Sequence, residues 1–242
     1  MSVFVSVIIL ILATLIQIFL ESSPGLLTLF YHYALGKKNQ TAAENLSLSF
    51  ILGSETFLIF SLFIAYALAN LFSVPLNDLP PIITTDIFLW IMAGIFLGES
   101  LAVFFFYFRR NDNGKSTALF IPRSLAKSLS NHALKAKSRS DAFLIGFVSR
   151  FPEAIFTLPL YLILSIELLQ FPSLARTLIF YSFIFLSTLP LFFIVFLFRL
   201  GQNLADIERF RVKSKLAVRL ILSISFLLLA LTLITFKVFI YG

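Results

Sequence analysis

Six long apolar stretches dominate this chain of 242 residues and restrict what it can fold into. They cover residues 5–35, 47–73, 86–108, 142–169, 174–198 and 216–240. A helix needs about 20 mostly apolar residues to cross the hydrocarbon core of a bilayer. The stretches are continuously apolar rather than alternating, which excludes the strands of a membrane β-barrel. The sequence therefore predicts an all-α integral membrane protein with six transmembrane helices.

The composition agrees with this prediction and removes several classes of function. Hydrophobic residues make up 59% of the chain and charged residues 13%, whereas roughly 25% of a soluble domain is charged. The chain has no Cys and two His, which excludes thiol redox chemistry and Cys-ligated metals. It also lacks the phosphate-binding, zinc-protease and serine-hydrolase motifs. We expect no enzyme, no cofactor and no metal site.

The basic residues lie in alternate connections between the apolar stretches. Most of the 19 Lys and Arg residues follow the first, third and fifth stretches, whereas residues 73–85 contain none. Because basic loops stay on the cytoplasmic side, both termini are predicted outside and the three basic connections inside. We interpret the basic residues as orientation signals that also contact anionic lipids. A nucleic-acid partner is not expected.

Each half of the chain contains a proline inside its first apolar stretch. Residues 18–35 and 146–163 are weakly similar, and their alignment places Pro24 opposite Pro152. Since each half has three spans, an odd number, the halves must insert in opposite directions. The pattern predicts an inverted repeat, with residues 1–108 and 142–242 as three-helix units joined by the basic loop 109–141. In this arrangement the first helix of each three-helix unit is broken at its proline, and the backbone groups freed by the break line a solute site. The alternative is that both prolines are ordinary kinks.

Ionisable residues inside the spans are the strongest candidates for function, because each costs about 2.5–3.5 kcal/mol to insert at a helix centre. Four acids stand against one Arg, so we expect some carboxyls to be protonated or a cation to be bound. Arg150 and Glu153 are also spaced to pair with each other on a helix. The predicted pathway for substrate and ion consists of Glu21, Pro24, Gly25, Glu55, Glu99, Arg150, Pro152 and Glu153.

The third span carries a second candidate feature, a spacing of small residues. Gly94 and Gly98 precede Glu99 at an interval that lets another helix approach closely. We therefore predict that this face of the span packs inside the bundle and buries Glu99. The same spacing permits a homodimer.

Short motifs in the first four spans resemble a known family. They are Ser23-Pro24-Gly25-Leu26, Gly36-Lys37-Lys38, Gly94 and Gly98 before Arg109-Arg110, and Gly146-Phe147 before Phe151-Pro152-Glu153. This arrangement is similar to that of the LysE-type amino-acid exporters, which have six spans in a three-plus-three inverted arrangement. The family has Pro-Gly-Pro and Asn-Pro-Lys breaks, where this chain has Leu26, Phe151 and Glu153. The resemblance implies a secondary exporter of a small polar or ionic solute in the cytoplasmic membrane, driven by a proton or cation gradient.

Two other functions are compatible with the sequence. The first is a non-transporting membrane subunit or assembly protein that recruits a partner through the basic loop 109–141. The second is an intramembrane enzyme that acts on lipid with its carboxylates and Arg150. A transporter requires the charges inside the spans, whereas a recruiting protein requires the loop.

Overall fold

The computed structural model describes residues 3–20, 27, 40–73, 86–108, 138–200 and 204–238, and its regular secondary structure is helical. A 3-10 turn at Phe151–Glu153 lies between the fourth and fifth α-helices. The α-helices are α1 (Val3–Leu20), α2 (Gln40–Ser73), α3 (Asp86–Phe108), α4 (Arg139–Ser149), α5 (Ala154–Leu169), α6 (Ser173–Arg199) and α7 (Leu204–Val238). The predicted break residues Glu21, Pro24 and Gly25, and residues 109–137 of the basic loop, lie outside the described residues.

Four of the helices, α2, α3, α6 and α7, are long and apolar enough to cross a membrane. Helices α1 and α5 are also apolar but shorter. Large apolar side chains cover the outer surface, and Leu174, Phe4 and Phe151 are 77%, 68% and 68% exposed. Such a surface is unfavourable in water but not against lipid chains. The architecture is therefore that of a helical membrane protein.

The observed helix bounds match the apolar stretches for helices that are apolar along their whole length, but not for helices that extend beyond their apolar part. Helix α3 covers residues 86–108, as predicted. Helix α2 begins seven residues before the apolar stretch 47–73, and α7 begins at Leu204 rather than at residue 216. Polar residues continue both helices beyond the apolar part, which hydropathy alone does not detect. Helix α4 begins at Arg139 because Ser138 and Asp141 form a capping box there.

The predicted interruption at Pro152 is present. Helix α4 ends at Ser149, and the backbone N–H of Glu153 donates to the Arg150 carbonyl at 3.1 Å in the 3-10 turn. Proline has no N–H and its ring clashes with the carbonyl four residues earlier, which weakens a helix at that point. Helices α5 and α6 nevertheless continue through Pro159 and Pro190, so the interruption at Pro152 depends on more than proline itself. Helices α4 and α5 have 11 and 16 residues, and only together are they long enough to span a bilayer.

The helices pack into two apolar clusters. The larger cluster joins α1, α3, α5 and α7 with the later part of α2 and the early part of α6. The smaller cluster joins α4 with the early part of α2 and the later part of α6. The most extensive helix pairs are α2 with α4 and α3 with α7. Three elements, namely α2, the α4–α5 unit and α6, pass from one cluster to the other, and their polar residues lie at that passage.

Candidate functional site

A layer of buried polar side chains lies between the two apolar clusters. On α2 the smaller cluster ends at Ile51 and the larger begins at Leu58. The corresponding limits are Ile145 and Leu160 on the α4–α5 unit, and Phe183 and Leu191 on α6. Each interval lies about midway along its element. The residues between these limits that form the polar layer are Ser54, Glu55, Ser149, Arg150, Glu153, Thr157, Ser187 and Thr188.

Arg150 is the central charge of the polar layer. Its side chain is 2% exposed; Nε donates to Ser54 Oγ at 2.7 Å and Nη2 to Glu55 Oε1 at 3.5 Å. Arginine does not lose its proton in proteins, so its burial requires acceptors and a counter-charge. Arg150 is the C-cap residue directly after α4, and the negative end of the helix dipole adds to the stabilisation. Sequence spacing suggested pairing with Glu153; the structure shows an ion pair with Glu55 of α2.

Two glycines bring α2 and α4 close enough for these bonds. A Cβ atom on Gly53 would lie under 3.0 Å from the Phe143 carbonyl oxygen, and one on Gly146 would lie equally close to the Phe50 carbonyl oxygen. The contact is reciprocal, and the tetrapeptides that end in the two glycines read Phe-Ile-Leu-Gly and Phe-Leu-Ile-Gly. Only glycine fits at such a crossing. Ser54 and Glu55 follow directly after it on α2.

Aromatic side chains enclose the crossing beside Arg150. The ring of Phe57 meets that of Phe147 edge-on at 5.2 Å and that of Phe151 at 6.2 Å. Phe57 is buried, whereas Phe151 is exposed on the outer surface. Edge-to-face pairs of this kind prefer fixed geometries. They hold the 3-10 turn against α2.

Glu153 places a second carboxyl in the polar layer, at the start of α5. Its side chain is 2% exposed, and it occupies the residue directly before Ala154, where α5 begins. The N-terminal end of a helix favours negative charge. Thr157, one turn further along α5, is also buried. The helix break therefore presents an arginine at the end of one helix and a carboxyl at the start of the next, which can bind the positive and negative groups of one small solute.

Glu99 belongs to a different part of the molecule. It is 9% exposed on α3, and its Oε2 has no hydrogen-bond partner among the described residues. The next residue, Ser100, donates to the Ser223 carbonyl of α7 at 2.8 Å, and Ser223 donates back to the Ser100 carbonyl at 3.1 Å. No hydrogen bond or ion pair in the described part of the chain joins Glu99 to Arg150. The predicted pathway residues that the structure describes thus fall into two groups.

The third span buries Glu99 as expected, but it does not pack through its two glycines within the described part of the chain. Gly94 and Gly98 are exposed, and no described heavy atom lies within 4 Å of a Cβ atom built on either. The buried face of α3 carries Met92, Phe96 and Val103, together with Glu99. At about 100° per residue, Gly94 and Gly98 point about 130–170° away from the centre of that face. The spacing of the two glycines shows that they share one face of α3, but it does not show which face of α3 packs against α7.

The sequence interpretation missed the uncharged members of the polar layer. Ser and Thr are common in membrane helices, so Ser54, Ser149, Ser187 and Thr188 did not stand out as charges did. Gln17 was missed for the same reason; it is fully buried on α1 and accepts a hydrogen bond from the Tyr161 hydroxyl at 3.0 Å. A usable signal was their position, since the missed layer residues lie near the midpoints of long apolar segments.

Comparison of the chain with family models, with curated proteins and with solved structures finds no match. The features of this helical membrane protein that bear on its function are therefore its buried polar groups and the helix break that positions them.

Proposed function

We propose that the protein is a secondary membrane transporter that exports a small polar or ionic, amino-acid-like solute, coupled to a proton or cation gradient. The observation that carries this proposal is the polar layer, in which Arg150 pairs with Glu55 at a helix break about midway along the bundle, and Glu153 is buried at the other side of the same break. Broken helices with polar groups at that depth are typical of solute sites in secondary transporters.

The energetic cost of the polar layer argues for a role beyond folding. A buried ion pair contributes little net stability, and apolar residues of similar size are often equal or better in its place. Charged residues within spans are rare and usually mark substrate or ion pathways. This chain places the Arg150–Glu55 pair and Glu153 at one depth, which indicates a binding role.

The geometry suggests how a solute with both charges would bind. The guanidinium of Arg150 presents planar donors that suit a carboxylate. Glu55, held at the rather long distance of 3.5 Å, is the group that such a carboxylate would displace from Arg150. Glu153 would accept a cationic group or carry the coupling proton. Glu55 would then be free to take up a proton or cation while the solute is bound.

Helix packing supports the six-span inverted arrangement that this proposal uses. Counting α4 and α5 as one broken span gives six, and the most extensive contacts join the two halves, α2 with α4 and α3 with α7. The Ser100–Ser223 contact is reciprocal, as a two-fold relation between the third spans of the halves would produce. The distribution of basic residues predicts that both termini lie outside. The LysE-type resemblance agrees with this arrangement.

Flux measurements in proteoliposomes test the proposal. Vesicles loaded with the standard amino acids and a pH-sensitive dye are given an imposed pH gradient, and amino-acid efflux and internal pH are followed together. Glu55→Gln, Glu153→Gln and Arg150→Gln should each lower the initial efflux rate at least about tenfold, because each removes a charge from the polar layer. Glu99→Gln should abolish the coupling to pH.

Glu44→Gln is the matched control, since Glu44 lies on α2 well before the polar layer. It should transport at the wild-type rate. Wild-type transport by all four layer and α3 variants, or no efflux of any amino acid from the wild-type protein, would contradict the proposal. The recruiting function requires residues 109–141, and a loop deletion that leaves flux intact separates the two functions.

A further inference from the structure

A groove lies at the end of the bundle where α5 ends and α6 begins. It has a volume of about 220 Å³ and is lined by residues of α2, α5 and α6, among them Phe63, Tyr66, Arg176, Phe180 and Tyr181. Phe63 and Tyr181 are 62% and 65% exposed. The rings of Phe63 and Phe180 meet edge-on at 6.1 Å. The groove is thus lined mainly by aromatic side chains, is open at the surface of the helix bundle, and has the cation of Arg176 beside it.

Arg176 closes the end of α5. Nε donates to the Leu168 carbonyl at 3.1 Å, and Nη2 donates to those of Leu169 and Phe171 at 3.2 and 3.1 Å. Nη1 donates to the Tyr66 hydroxyl at 2.7 Å. These bonds satisfy carbonyls that a helix end leaves without partners. They fix the guanidinium in place at the groove.

These four bonds leave one N–H donor of Arg176 without an acceptor and its positive charge without a carboxylate partner among the described residues. A guanidinium has five N–H groups, and four are accounted for, so one N–H of Nη1 has no acceptor among the described residues. The Tyr66 hydroxyl accepts from Arg176, which leaves its own proton to donate. Within the described part of the chain no carboxylate forms an ion pair with Arg176. Arg176 also lies in the first turn of α6, where the helix dipole is already positive.

We infer that this groove binds an anionic phospholipid. The phosphate accepts from Arg176 Nη1 and the Tyr66 hydroxyl, and an acyl chain lies along Phe63, Phe180 and Tyr181. Charge complementarity selects this occupant, because an anion offsets both the unpaired guanidinium and the positive helix end. Tyrosine side chains are enriched at the membrane–water interface, where headgroups lie. The site is at the opposite end of the spans from the basic connections, and is therefore separate from their lipid contacts.

Photolabelling with lipid tests this inference. The full-length protein is reconstituted in phosphatidylcholine vesicles that contain a trace of phosphatidylglycerol with a diazirine on its acyl chain, and labelled peptides are mapped by mass spectrometry. Label should concentrate on residues 63–66 and 177–181. Tyr66→Phe should lower it about tenfold, because one bond to a charged group is lost. Thr177→Trp, which fills the groove, should remove it.

Tyr161→Phe is the matched control, since it also removes a hydrogen-bonded hydroxyl but in the bundle core. Its labelling should equal that of the wild type. Unlabelled phosphatidylglycerol should compete, whereas excess phosphatidylcholine and inorganic phosphate should not. Equal labelling of Tyr66→Phe and wild type, label that maps elsewhere, or equal competition by phosphatidylcholine or free phosphate would overturn the inference. Tyr66→Phe removes one oxygen atom, so the test holds even if Thr177→Trp does not fold.

Discussion

Two helix pairs of this molecule bury polar residues at mid-length in different ways. In the α2–α4 pair, glycines bring the backbones together and a charged cluster forms beside a helix break. In the α3–α7 pair, both helices are continuous, and two serines bond reciprocally beside a carboxyl without a described partner. A close crossing at a break can hold opposite charges in contact, whereas continuous helices at ordinary separation are joined by short neutral side chains. The first pair is suited to binding. The second holds the bundle together and carries Glu99, the carboxyl that the proposed transport mechanism uses for coupling to pH.

The strongest test of this difference replaces glycines. Gly53→Ala or Gly146→Ala should destabilise the protein by about 3 kcal/mol or more, because the new methyl group meets backbone that cannot move aside. Gly94→Ala and Gly98→Ala, on the exposed face of α3, should be neutral or stabilise it by up to about 1 kcal/mol through helix propensity. Thermal unfolding in detergent, followed by circular dichroism, measures both. Equal effects at the four glycines would contradict the packing described for both helices.

A smaller effect is expected from the charges of the two pairs. Glu55→Gln should destabilise the protein by about 2–3 kcal/mol, because it leaves the Arg150 guanidinium buried without this carboxylate. Adding Arg150→Gln should recover part of the loss, with a coupling energy of about 1–3 kcal/mol. Glu99→Gln should be neutral or stabilising, since an amide removes the cost of burying an unpartnered carboxyl. Additive effects of the first two substitutions would show that the ion pair has no energetic role.

The smallest effect is expected at the serine contact. Ser100→Ala and Ser223→Ala should each cost about 0.5–1 kcal/mol, the usual size for hydrogen bonds between membrane helices. The double variant should cost less than the sum, because each hydroxyl donates to the other residue's carbonyl and the two oxygens lie 3.2 Å apart. Ser225→Ala on the same helix provides a reference. A loss above about 3 kcal/mol at either serine would place this contact alongside the glycine crossing in importance.

The sequence predicted the parts of the fold that the bilayer determines. The bounds of α3 follow from apolar length alone. Proline marks a candidate break, which is present at Pro152, but α5 and α6 continue through Pro159 and Pro190. The early starts of α2 and α7 could not be found in this way, because helix propensity continues where hydropathy ends. Hydropathy reports what lipid tolerates, not where hydrogen bonding along a helix stops.

The candidate site was predicted as a set of residue types but not as a set of contacts. The high cost of charge in a membrane identified Glu55, Arg150 and Glu153. Their arrangement depends on Gly53 meeting Gly146, a tertiary contact between helices far apart in sequence. Gly94 and Gly98 have the spacing that is usually associated with helix packing, yet both glycines are exposed on the surface of the bundle. Spacing relates residues on one helix and carries no information about which neighbour the helix has.

The sequence separation of the serine contact between α3 and α7 has a consequence for membrane insertion, because it sets how long α3 waits for its partner during synthesis. Ser100 and Ser223 are 123 residues apart, and a ribosome adding about 5–20 residues per second needs on the order of ten seconds to cover that distance. During this interval the inserted third helix has no partner for Ser100, and the ring of Phe96 lacks its later neighbour Phe226. Any chain that stops before the last helix therefore leaves Ser100 of α3 without its hydrogen-bond partner from α7.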